Sequence, residues 1–134
     1  MDSRINPQEQ LGLAPNSTVI IRNAGGTVAE ALTTILISQR IGIRHFMVLK
    51  HSDCGGFRLQ GSEIIDHFKA HTKNPQVTDE VTARVKDFGF GNVTVEEVVK
   101  KDVDFLRESP LIFDETEVSG WVFDDETGKV CIFL

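Results

Sequence analysis

STVIIRNAGGTVAEALTTILISQRIGIRHFMVLKHSDCGG, residues 17–56, decides the fold class. Its first seven residues, Ser17 to Asn23, form a short β-branched run closed by Ala24-Gly25-Gly26, which reads as a strand running into a turn. Thr27 and Glu30 then stand at capping-box spacing. A helix of about Val28 to Gln39 follows, with Val28, Leu32, Ile35 and Leu36 on one face and Ala29, Ala31 and Ile37 widening it. Arg44 to His51 is a second apolar strand, closed by Cys54-Gly55-Gly56. Strand, helix, strand within forty residues implies a parallel pair.

The rest of the chain extends this α/β order. Helical patterns run from about Ser62 to His71 and from about Asp79 to Phe88. Another helix starts at Thr94, where Glu97 completes a second capping box. Glu117 to Phe123 and Lys129 to Leu134 flank the turn-like Asp125-Glu126-Thr127-Gly128 and read as a terminal antiparallel hairpin. The expected fold is a central, mostly parallel sheet flanked by helices with this late hairpin, in one domain of residues 1–134.

Length and composition narrow the function. The 134 residues are 40% hydrophobic, enough for one core. Fourteen Lys and Arg against twenty Asp and Glu give a net charge of −6, and no basic run occurs, so the electrostatic footprint of nucleic-acid binding is missing. No apolar stretch approaches a membrane span, and MDSRINPQEQ lacks the layout of a secretion signal. The chain reads as soluble and cytoplasmic. Cys54 and Cys131 do not suggest a disulfide framework.

Chemistry concentrates at the carboxyl ends of the two strands, where parallel sheets bind ligands. Arg22 to Gly26 and His51 to Gly56 both fall there. His51 and Cys54, three apart, are soft metal donors at a spacing that calls for a third. Gly25-Gly26 and Gly55-Gly56 permit tight turns and close backbone approach. Neither pair forms G-x-G-x-x-G, which argues against a dinucleotide site. Cys131, in the apolar run Val130 to Leu134, reads as a core residue. The His67/His71 pair reads as a solvated helix face.

Read in order, MDSR (1–4), RNAGG (22–26), ISQR (37–40), HSDCG (51–55) and VSGWVFDDETGK (118–129) resemble the β-class carbonic anhydrases, in particular their small forms. The resemblance runs from Met1 to about Lys129. It implies a zinc enzyme, a lyase that hydrates carbon dioxide reversibly to bicarbonate, built as a homodimer or higher homo-oligomer. In that family the site comprises Cys-x-Asp-x-Arg and His-x-x-Cys. Asp2 and Arg4 match the first motif, and His51 and Cys54 the second. Asn23, Gly25, Gly26 and Gly55 are the implied substrate-pocket residues. The family's first cysteine, and the strand leading to it, would stand before Met1, where the sequence as given has no residue.

This leaves His51 and Cys54 as implied zinc ligands with Asp2 as a possible third. His51 and Cys54 thiolate leave zinc with one surplus positive charge, which the Asp2 carboxylate would cancel. Asp2 and Arg4, two apart on an extended segment, would point to the same face. There Arg4 would keep Asp2 ionised and oriented toward a hydroxyl. Three functions stay open: the carbonic anhydrase, a hydrolase of a carbon dioxide analogue such as a carbon–sulfur compound, and a catalytically silent dimerising or regulatory module. The apolar tail is expected either to pair into the sheet's centre or across a subunit boundary, or to form the outer strand of the terminal hairpin at a dimer contact.

Overall fold

Prolines and capping residues set where the helices begin. In the computed structural model, which describes residues 1–134, the helices are α1 (Pro7–Gln10), α2 (Val28–Arg40), α3 (Gly61–His71), α4 (Pro75–Val85) and α5 (Val95–Glu108). Pro7 and Pro75 take first-turn positions, where a missing N–H costs nothing. At α5 the capping box forms: the Thr94 hydroxyl accepts from the Glu97 amide at 3.2 Å, and the Glu97 carboxylate accepts from the Thr94 amide at 2.7 Å. α4 starts earlier than its apolar pattern suggests, because the Asn74 side chain accepts from the Gln76 amide at 3.1 Å.

The strands β1 (His45–His51), β2 (Glu117–Asp124) and β3 (Lys129–Ile132) form one mixed sheet in the order β1-β2-β3. β1 and β2 are parallel, from His45 opposite Glu117 to His51 opposite Phe123. β2 and β3 are antiparallel, joined across the Asp124–Lys129 turn. The α/β class and the terminal hairpin are as the sequence implies.

The chain forms two compact units, residues 1–53 with 94–134, and residues 54–93. In the first, Val28 and Ile35 of α2, Val48 of β1, Val99, Val103 and Leu106 of α5, and Val118 of β2 make one core. α5 lies directly on the β2 backbone, since a Cβ at Gly120 would sit 2.5 Å from a Val99 methyl. Gln39, only 2% exposed, is fully satisfied: its amide donates to the Leu111 carbonyl at 3.0 Å, and its oxygen accepts from the Phe113 amide at 2.9 Å. The second unit holds α3 and α4, with Phe57 and Phe90 edge-to-face at 4.9 Å.

Several expectations fail because non-local contacts, present or absent, decide them. Ser17 to Asn23 is not a strand, and Val19, Ile20 and Ile21 are 57%, 37% and 39% exposed. A strand exists by pairing, and the one sheet neighbour of β1 is β2. The Thr27/Glu30 capping box is not made. The Thr27 hydroxyl donates back to Ala24 at 3.4 Å, and the Val28 amide is met by the Asp102 carboxylate of α5 at 3.4 Å. Of the two places expected for the tail, the structure shows the outer strand of the hairpin: Ile132 and Phe133 are 66% and 42% exposed and Cys131 is exposed rather than in the core, while Leu134 packs against the core. One edge of β2 is held by β1, so the hairpin returns the chain to the other.

Candidate functional site

β1 delivers His51 at its carboxyl end, and the parallel register sets His51 beside Phe123. The residues just past β2 therefore meet the residues just past β1. The His51 Nδ1 lies 2.9 Å from Asp125 Oδ2. The same oxygen accepts from the Asp53 amide at 2.7 Å and from the Ser52 hydroxyl at 3.3 Å. The Asp125 amide in turn donates to Ser52 Oγ at 3.0 Å. Both side chains are shielded, His51 10% and Asp125 11% exposed.

Asp2 and Arg4 come together through a turn, not through an extended segment. Asp2 Oδ1 accepts from the Arg4 amide at 2.9 Å, an Asx turn, and from Arg4 Nε at 3.0 Å, while Oδ2 accepts from Nη2 at 2.7 Å. The guanidinium also reaches Asp53, donating from Nη1 to Oδ2 at 2.8 Å, and lies 3.9 Å from Asp125 Oδ1. Arg22 anchors the turn by donating to the carbonyls of Asp2 and Ile5. The Arg4 side-chain hydrogen bonds, and then its amide, hold the Asp2 carboxyl far below the usual carboxylate range. The Arg4 guanidinium is raised reciprocally by Asp2 and Asp53.

The glycine loop is fixed by a buried cation. Gly25 and Gly26 have φ of 66° and 59°, the left-handed region that glycine enters without strain. Lys50, 3% exposed, donates to the Gly25 carbonyl at 3.0 Å and the Gly26 carbonyl at 2.6 Å, and pairs with Asp102 at 2.5 Å. Asn23 donates to the Thr27 carbonyl at 2.8 Å. Gly55 opens a short 3₁₀ turn, Gly55–Phe57, in the 54–93 unit, preceded by Cys54, a buried free thiol.

The structure thus gathers Asp2, Arg4 and His51 into one network with Asp53 and Asp125. The boundary between the two units falls between Asp53 and Cys54. His51 nitrogen and Cys54 sulfur are donors of the kind zinc takes. No three His, Cys, Asp or Glu side chains are grouped so as to hold a metal ion. Both Asp2 oxygens accept from Arg4, and Oδ2, with one partner, keeps a further acceptor site. Sequence reading put Arg22, Ser52 and Asp53 in the loops at the strand ends without giving them a role, and missed Lys50, Asp102 and Asp125. The one signal for Asp125 was the doubled aspartate of the VFDDETGK segment.

Comparison with known proteins bears on this network. The family description "Carbonic anhydrase" fits residues 1–130. The chain is similar to the carbon disulfide hydrolase of an Acidianus species, 28% identical over 148 residues that cover 97% of this chain and 72% of that protein. It is also similar to β-carbonic anhydrase 1 of Mycobacterium tuberculosis, 30% identical over 132 residues, 97% of this chain and 76% of the relative. Among solved structures it resembles a carbonic anhydrase from Glaciozyma antarctica. The TM-score is 0.87 at 31% identity, with 100% of this chain and 78% of the other covered.

Proposed function

Because the chain belongs to the β-carbonic anhydrase family, we propose that it hydrates carbon dioxide reversibly to bicarbonate, with His51 and Cys54 as ligands to zinc. When bound, zinc supplies a water that ionises near pH 7. The observation that carries the reading is the Arg4 fork on Asp2, joined through Asp53 and Asp125 to His51. At neutral pH, Asp2 held this way is ionised. It is therefore an acceptor for the O–H of an attacking hydroxide and a poor store for its proton. With zinc held by His51 and Cys54 to supply hydroxide, the Asp2 carboxylate would accept its O–H and orient its oxygen toward the carbon of carbon dioxide for bicarbonate to form. Arg4 orients Asp2, Arg22 fixes the turn carrying both, and the Asn23–Gly26 loop, gripped by Lys50, is the proposed substrate wall.

A second reading is hydrolysis of carbon disulfide, favoured by the similarity to the Acidianus hydrolase over nearly the whole chain. Carbon disulfide is linear with an electrophilic central carbon, so the same acceptor and hydroxide serve. Stopped-flow hydration of carbon dioxide, sulfide release from carbon disulfide, and metal analysis of the purified protein separate the readings. The expected result is close to one zinc per chain, lost in His51→Ala and in Cys54→Ser, with carbon dioxide turnover falling to the uncatalysed rate. Zinc that survives both substitutions overturns the ligand assignment. Turnover of carbon disulfide alone replaces the substrate, and a metal-free protein inert on both is the silent module.

A further inference from the structure

We propose that Asp125 is a positioning residue for His51, fixing the imidazole as its Nδ1–H tautomer so that Nε2 is the nitrogen left for a metal. The proposal deepens the zinc reading, but its geometry stands in the metal-free chain.

An ionised carboxylate has only acceptor sites, so the 2.9 Å contact between Asp125 Oδ2 and His51 Nδ1 requires the proton on Nδ1. The acceptor is itself immobilised. Oδ2 also takes the Asp53 amide and the Ser52 hydroxyl, and the Asp125 amide closes the ring onto Ser52 Oγ. Rotating the carboxylate away would break all three contacts to Oδ2 at once. With the two side chains 10% and 11% exposed, solvent competes little for the bond. Carboxylates placed this way behind a ligating histidine orient the ring and raise its basicity. Asp125 also sets a negative charge directly behind His51. A turn residue that only ties the hairpin to residues 51–53 would make the same backbone contacts without needing a particular tautomer.

The deciding measurement is a long-range ¹⁵N–¹H spectrum of the zinc-free protein above about pH 8, where an ordinary imidazole is neutral. The expected His51 pattern has a protonated Nδ1 and a bare Nε2. It persists in Asp125→Asn, whose amide oxygen still accepts, and shifts toward the Nε2–H form in Asp125→Ala. Wild-type His51 found as the Nε2–H tautomer overturns the proposal without needing any variant to fold. So does an Asp125→Ala protein that keeps the wild-type pattern. Zinc affinity, read by competition with a chromophoric chelator, should fall about 10- to 100-fold in Asp125→Ala, and an unchanged affinity removes Asp125 from ligand positioning. The tautomer is read without turnover, so an Nδ1–H His51 in a protein inert on carbon dioxide refutes the proposed function alone.

Discussion

The guanidinium of Arg4 donates to two carboxylates and lies near a third, and what it does to Asp2 sets a pH dependence. The folded Asp2 carboxyl titrates below its unfolded value. Its contribution to stability is therefore fully present above the ordinary carboxylate pKa of about 3.9 and is lost as pH falls through the folded value. Because Arg4 is half exposed, that contribution is small. The charge state is the more informative readout. In a ¹³C titration, Asp2 should remain ionised to well below the usual range in the wild type, whereas in Arg4→Gln its midpoint should return toward about 3.9. A wild-type midpoint already there would remove the fork from the mechanism. Asp2→Asn should lower kcat/KM for carbon dioxide by about 100-fold, the scale of one preorganised hydrogen bond at a reacting group. The Asp2-x-Arg4 pairing was legible from the motif it resembles and the two-residue spacing, although the Asx turn that makes it was not, because the segment read as extended. Asp125 was not, because its partner His51 is 74 residues away and only the parallel register brings them together.

Lys50 joins elements as Arg4 joins side chains. Its ammonium ties β1 to the glycine loop and, through Asp102, to α5, while Asp102 also meets the first amide of α2. Removing one member of such a buried pair strands the other charge. Lys50→Met should therefore cost about 3–5 kcal/mol of stability in denaturant unfolding. The double variant Lys50→Met/Asp102→Leu should recover most of that loss, and a double variant no more stable than the single one would refute the clamp. The same contrast explains which elements the sequence revealed. α5 was legible because Thr94 and Glu97 cap it locally and Val99, Val103 and Leu106 mark its buried stripe. Ser17 to Asn23 carried the residues of a strand, but strand formation needs a neighbour that composition cannot supply. α2 showed the right cap letters at Thr27 and Glu30, yet its first amide is met by Asp102, 74 residues on.

Across the whole molecule, the homodimer we propose would cover the exposed Val19, Ile20 and Ile21 of the first unit. Light scattering should give twice the chain mass of 14.9 kDa, and a monomer at all concentrations would refute the homodimer. The parallel register has a kinetic consequence as well. His45 pairs with Glu117, 72 positions later, so the sheet cannot begin until a long stretch of chain has been closed into a loop. Forty of those positions, residues 54–93, form a contiguous unit whose contacts are local. If that unit collapses first, only 32 flexible residues remain to be closed, which lowers the entropic barrier by about 0.7 kcal/mol. Loosening it should then slow refolding of the sheet by about threefold. Gly61→Ala is the variant to use, because its new Cβ would lie 1.9 Å from the Val85 carbonyl oxygen within the same unit. The inserted helical pair would thus act as a folding splint, shortening the search by which two distant strands find each other.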